Sequence, residues 1–434
     1  MGFMEIFREV TDMDRKKRSN SGIKISQKLE QLPPYLFTRI KVLIGEAYKK
    51  NLDVIDLTMG NPDQPTPPHI VDRLVDTIQN HPRTHRYPQA KGMPRFRRAV
   101  SDHMKRRFGV SVDPESEVLT LVGSKEGIAH LASAYMDPGD VALVPVPAYP
   151  VHFNGVILAG GKVCPLPLTP ENGFLPDYGK IPAKDLRKAK LLFLGYPNNP
   201  TTTVIEDEAF FKETIRFAKK HNLLVVYDNA YSEITFDGYR APSFLEVPGA
   251  RDVALEFHSF SKTYNMAGWR IGWACGKREL VAPLEKFKAF VDYGVPTFMQ
   301  LAAVRALEGP QDCVRETVAV YQRRRDYFVD GLNKIGWNVA KPKATMYVWA
   351  PLPESVRAKG SMAFAEELLR ETGVAVSPGV GFGQEGEGYV RFALVTHDQR
   401  FYDVLLRLRK FIGGASVKYG MPPKPKFYSP KNKS

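Results

Sequence analysis

Lys262 stands in Ser259-Phe260-Ser261-Lys262-Thr263-Tyr264, between the apolar runs Val253-Ala254-Leu255-Glu256-Phe257 and Ile271-Gly272-Trp273-Ala274. An ammonium is a costly occupant for a turn between two apolar strands, because it must shed water. The same desolvation lowers the pKa of the amine and makes it a nucleophile toward an aldehyde, which is Schiff-base chemistry. Hydroxyls at Ser259 and Ser261, and the fork-shaped guanidinium of Arg270 eight positions on, suit a phosphate. An aldehyde and a phosphate together point to pyridoxal phosphate, bound through Lys262. Taken alone the motif fits a surface turn equally well, so its partners must come from elsewhere in the chain.

Other apolar runs supply them. Val118–Val122 leads into Gly123-Ser124-Lys125, where the free N–H groups of a helix start favour a phosphate or simply a cap. Val141–Val146 leads into Pro147-Ala148-Tyr149-Pro150, which places a flat ring against a planar ligand or packs a core tyrosine. Leu191–Leu194 is followed by Tyr196-Pro197-Asn198-Asn199-Pro200-Thr201, and the Asn199 amide can donate to a phenolate oxygen. After Leu223–Tyr227 come Asp228 and Tyr231. An aspartate ending a buried strand needs a cation. A protonated pyridine nitrogen is one, and its charge makes the ring an electron sink; a helix cap or an ion pair is the structural alternative. Late in the chain, Tyr389-Val390-Arg391-Phe392 puts a guanidinium in an apolar strand. It calls for a substrate carboxylate or for an Asp or Glu partner. Each residue has a bland explanation; in this fixed order, each after its own apolar run, they are better explained by one shared site.

The elements that would carry these residues alternate, strand then helix, from Val118 to Ala274. That pattern predicts an α/β fold with a mainly parallel sheet between helices. Ligands of such sheets bind at the carboxyl ends of the strands, where these residues lie. The later chain changes to α+β character, with a charged helix at Gln311–Lys334 and a last helix near Gln399–Phe411. The expected division is a flexible extension at 1–30, a small domain from 31–64 and 306–412, a large cofactor domain at 65–305, and a basic, disordered tail at 413–434. At 434 residues the chain is long enough for two domains. No apolar run approaches a membrane span and no signal peptide is recognisable, so neither a membrane nor secretion is expected. Three scattered cysteines, Cys164, Cys275 and Cys313, form neither a disulfide framework nor a zinc pattern and fit a reducing cytoplasm. The net charge of +14 invites a polyanion, but much of the excess sits at the ends, and no nucleic-acid motif accompanies it. No metal site is expected.

Ser-x-Ser-Lys with arginine eight on, Asn199-Pro200-Thr201, Asp-x-x-Tyr at 228–231, and Arg391 in a late strand form a specific set. Through them, residues 31–412 resemble the class I/II aminotransferases of pyridoxal-phosphate fold type I, whose large domain carries a seven-stranded, mainly parallel sheet. The resemblance implies that Lys262 is the Schiff-base lysine and proton carrier. It implies that Asp228 holds the pyridinium, that Tyr231 and Asn199 bond the phenolic oxygen, and that Tyr149 stacks on the ring. Ser124, Lys125, Ser259, Ser261 and Arg270 would hold the phosphate. Arg391 would clamp the substrate carboxylate, beside Gly60, Asn199 and Tyr35. Tyr87 matches a tyrosine that reaches the neighbouring subunit's phosphate, which implies a homodimer.

Within the family, Met59-Gly60-Asn61-Pro62-Asp63 and Gly123-Ser124-Lys125-Glu126-Gly127 look most like bacterial glutamate–pyruvate (alanine) aminotransferases. The LL-diaminopimelate aminotransferases are a neighbouring branch. In Phe290-Val-Asp-Tyr-Gly-Val-Pro-Thr-Phe298, that branch carries an asparagine where this chain has Tyr293, and the bulkier ring favours a small side chain. The expected reaction is ping-pong amino transfer between an L-amino acid and a 2-oxo acid, with alanine and glutamate the expected donors. An aminotransferase for LL-diaminopimelate or another amino acid, a β-eliminating lyase and a non-catalytic ligand sensor are the alternatives on the same fold.

Overall fold

The computed structural model describes residues 23–32 and 36–413. Most of the expected N-terminal extension, the tail beyond Gly413, and Tyr35 lie outside the described residues. The described residues contain twelve strands: β1 (Ile55–Asp56), β2 (Val118–Leu121), β3 (Val141–Val146), β4 (Lys162–Pro167), β5 (Ala189–Leu194), β6 (Leu224–Asp228), β7 (Ala254–Ser259), β8 (Gly272–Gly276), β9 (Tyr347–Pro351), β10 (Val374–Ala375), β11 (Ser377–Pro378) and β12 (Tyr389–Ala393).

Seven of them form one sheet in the order β2-β8-β7-β6-β5-β3-β4. From β7 to β4 the pairing is parallel, whereas β8 runs antiparallel to both β7 and β2. All six residues of β3 are buried, as expected for a strand covered on both faces. Helices start and stop where local chemistry dictates. Glu208–His221 begins as the Asp207 side chain accepts from the Ala209 N–H at 2.9 Å, and it ends at Asn222 in a left-handed conformation, φ 52°.

Two elements differ from the sequence expectation. β4, Lys-Val-Cys-Pro-Leu-Pro, was not anticipated because prolines disfavour a strand; it is the edge strand, where a missing N–H is tolerated. β8 starts at Gly272 rather than Arg270, because Arg270 sits at φ 53° and cannot continue an extended strand.

A second core lies apart from the sheet. It gathers Ile40, Ile44 and Leu57 from the early chain with Phe328, Trp337, Phe392 and Leu405 from the late chain. Its strands are the antiparallel trio β11-β12-β9 and the parallel pair β1–β10. Buried Arg324 ties the parts together. Its two Nη atoms donate to the Asp63 carboxylate at 2.7 and 2.8 Å, and its Nε donates to Asp398 at 2.8 Å. The turn carrying Gly60 is thereby anchored to helices Asp312–Lys334 and Asp398–Gly413. Among the described residues no helix is long and apolar enough to cross a membrane.

Candidate active site

The carboxyl ends of β3, β5, β6 and β7 open onto one cavity. Lys262 enters it from the short helix Phe260–Thr263 directly after β7, whose start is capped by Ser259 Oγ accepting from the Ser261 N–H at 3.1 Å. Its Nζ donates to the Gly60 carbonyl. Lys262 keeps partial exposure into the cavity but is ringed by protein, and this burial holds its amine below the usual lysine range. Arg391 and Arg270 push the same way, while Tyr347 opposes them.

On one side of the lysine lie the phosphate-type donors. Ser124 opens the helix Ser124–Tyr135, and Ser259, Ser261, Lys125 and Arg270 line the same part of the cavity. The guanidinium of Arg270 donates to the carbonyls of Ala267 (3.0 Å) and Val122 (3.4 Å). Gly123, at φ 77°, lets it pass: a Cβ there would stand 2.5 Å from Arg270 Nη2. The Lys125 ammonium lies 5.8 Å from the centre of the Tyr149 ring. Partial burial and the charge of Arg270 pull its amine below the ordinary range.

On the other side Asp228 ends β6. One carboxylate oxygen, Oδ2, meets His152 Nε2 at 3.2 Å, and the other, Oδ1, is buried without a partner. His152 is itself fixed by stacking on Phe193 at 5.6 Å. Asn199 joins the two ends of the cavity. Its Nδ2 donates to the Tyr231 hydroxyl at 3.4 Å, and its Oδ1 accepts from Arg391 Nη1 at 2.6 Å. Arg391 Nη2 donates to the Thr58 carbonyl at 2.8 Å, and its Nε is buried with no partner. The guanidinium is held between two rings, 4.0 Å from the centre of Tyr347 and 4.5 Å from that of Phe382.

A lone carboxylate oxygen and a lone guanidinium N–H, both buried, mark where a cation and an anion are missing. The cavity therefore offers a phosphate cradle, a reactive amine, a carboxylate awaiting a cation, and a clamp for an acid. These residues fit pyridoxal phosphate and an amino acid.

Comparison with known proteins agrees. The family model "Aminotransferase class I and II" matches residues 52–407. The chain belongs to the class I and II aminotransferases. It is an enzyme of amino-group transfer, and pyridoxal phosphate is its cofactor. Among relatives, the LL-diaminopimelate aminotransferase of Moorella thermoacetica is 50% identical over 388 residues, 89% of this chain and 98% of that protein. The glutamate-pyruvate aminotransferase AlaC of Escherichia coli K12 is 48% identical over 373 residues, 86% and 90% of the two chains. Among solved structures, substrate-bound BacF from Bacillus subtilis superposes with a TM-score of 0.85 at 38% identity, covering 90% of this chain and 98% of that one.

Not every expected residue of this aminotransferase comes together. Tyr87 is outside the cavity of its own chain, 91% exposed, with its ring 6.0 Å from that of Tyr293 and nearly edge-on. Tyr293 also lies outside the cavity, at φ 62°.

Conversely, three residues were missed. His152 lies three residues beyond Tyr149, at the start of helix Val151–Leu158, and Phe382 lies in a loop. Tyr347 could have been found from strand pairing. It sits opposite Ala393, so it shares a face with Arg391 two residues away, a diagonal neighbour within reach of a long side chain. One further cluster, Glu126, His130 and Asp292, gathers potential metal ligands. Lys288 already occupies it as the cation, 2.6 Å from Asp292 and 3.3 Å from Glu126.

Proposed function

We propose that this enzyme transfers amino groups by a ping-pong cycle between L-alanine and pyruvate on one side and glutamate and 2-oxoglutarate on the other. The observation that carries amino transfer is the pairing, in one cavity, of the Lys262 amine with the partnerless Asp228 Oδ1. When bound, pyridoxal phosphate supplies an aldehyde and an electron-poor ring that takes up the electrons of the broken Cα–H bond. In this reading Ser124, Lys125, Ser259, Ser261 and Arg270 hold the phosphate, Tyr149 covers the ring, and Asp228 retains the ring-nitrogen proton. Tyr231 and Asn199 donate to the ring oxygen. Arg391 grips the substrate carboxylate through its available N–H groups, which turns the Cα–H toward Lys262. Lys262 then takes the proton from Cα and returns it to the carbon on the other side of the amino nitrogen, on the cofactor side. A buried amine with a lowered pKa is neutral at a higher fraction near pH 7 and so is ready to accept it.

The reading includes two domains, 65–305 and 31–64 with 306–412, and a cytoplasmic homodimer in which Tyr87 completes the neighbouring phosphate site. The exposure of Tyr87, away from its own cavity, supports that role. A small side chain as substrate is supported by the bulk of Tyr293. It occupies a left-handed position that asparagine adopts far more readily. The names of several relatives at 49–50% identity favour a second reading, LL-diaminopimelate as donor.

A half-reaction screen separates the readings. Without any acceptor, the enzyme is expected to release one equivalent of pyruvate per site from L-alanine and one of 2-oxoglutarate from glutamate. LL-diaminopimelate is expected to react at least ~10-fold more slowly, the scale on which a misfitting side chain is discriminated. Faster reaction of LL-diaminopimelate would select the second reading, and no oxo acid from any amino acid would contradict transamination.

A further inference from the structure

The Tyr347 ring serves Arg391 with its face, but its hydroxyl continues past the arginine to Gly60. A Cβ on Gly60 would come within 1.9 Å of that phenol oxygen, so the absence of a side chain is what admits it. The carbonyl of the same glycine receives the Lys262 amine. Lysine and phenol thus both lie against this one residue. The phenol oxygen is also 2.9 Å from the Tyr231 hydroxyl. Tyr231 accepts from Asn199, and its one proton, which the ring oxygen takes when the cofactor is bound, goes to Tyr347 in the cofactor-free protein.

We propose that Tyr347 is a further positioning residue of this site, acting through Lys262: its phenol oxygen is the negative end that helps keep a proton on the lysine amine. This rests on the transamination reading given above. The surrounding charges are consistent with it. Burial pushes the Tyr347 phenol up, but Arg391, Lys262 and the bond from Tyr231 outweigh burial and hold it below the ordinary range. Burial, Arg391 and Arg270 all pull the Lys262 amine down, and Tyr347 is the group that opposes them. Tyr231, buried against Tyr347, is pushed well up and stays protonated as a donor.

The sign of the effect follows. Removing the hydroxyl removes the opposing contribution, so the Lys262 amine loses its proton at lower pH. The test is competitive acetylation of the cofactor-free protein across pH, with the Lys262 peptide quantified by mass spectrometry. Tyr347→Phe, and as a second variant Tyr347→Leu, are expected to move the Lys262 titration to lower pH than in the unmodified protein. In the loaded enzyme, Tyr347→Phe keeps the ring under Arg391, so KM for the amino acid stays within about 2-fold. Its kcat falls about 10-fold, because an amine of still lower pKa is a weaker acceptor of the Cα proton, and this is short of the ~100-fold minimum expected when a proton-transfer group itself is removed. Tyr347→Leu also removes the ring and raises KM. A Lys262 titration unmoved in both variants would overturn the inference. Failure of the unmodified enzyme to release oxo acid from any amino acid would instead contradict the transamination reading, and the acetylation result does not depend on it.

Discussion

Lys262→Ala is expected to lower kcat by about 10⁴-fold or more, the combined loss of a nucleophile and a positioned proton carrier. Nothing else in the cavity can take over. Lys125 points across the Tyr149 ring rather than to Gly60, and the guanidinium groups of Arg391 and Arg270 offer donors but no acceptor. Cofactor binding should weaken without vanishing, because the donors at Ser124, Ser259, Ser261 and Arg270 are untouched. Cofactor content after dialysis and single-turnover release of pyruvate from L-alanine check the two halves of this expectation. A Lys262→Ala protein that turns over at the unmodified rate would sink the assigned role.

The next largest effect is expected from Asp228→Asn. The substitution keeps the size of the side chain and its contact with His152 but removes the negative charge. The buried Oδ1, now partnerless, is where a ring-nitrogen cation would be stabilised. Losing a preorganised charge at a dry site costs on the order of 10²–10³ in rate. Because Arg391 is held independently by Asn199, Thr58 and two rings, KM for the amino acid should change little while kcat collapses. Steady-state kinetics with L-alanine and 2-oxoglutarate read this split. An Asp228→Asn enzyme with kcat within 3-fold of the unmodified value, a difference of about 0.7 kcal/mol, would contradict the charge argument.

The positions of Lys262, Asp228, Asn199, Ser124 and Tyr149 were legible because a parallel sheet sends the ends of its buried strands to one edge, and each residue directly follows or ends an apolar run. Arg391 was legible for a different reason, as a charge in an apolar strand. What local sequence cannot carry is pairing across elements. Tyr347 becomes a neighbour of Arg391 only through the β9–β12 register, and it reaches Gly60, whose carbonyl accepts from Lys262, only because that glycine has no side chain. The partner of Asp228, His152, lies 76 residues from it. Arg270 lines the cavity just ahead of β8 rather than within a strand, and no local signal in the sequence marks its left-handed backbone. Tyr87 and Tyr293 lie outside their own chain's cavity, and the proposed homodimer is what would bring them to a site.

The central claim is that one lysine of this chain carries the cofactor, and peptide mapping tests it most directly. Borohydride reduction of the cofactor-loaded enzyme, followed by proteolysis and mass spectrometry, is expected to place a single pyridoxyl group on Lys262. A group on Lys125, or on no lysine, would contradict the account.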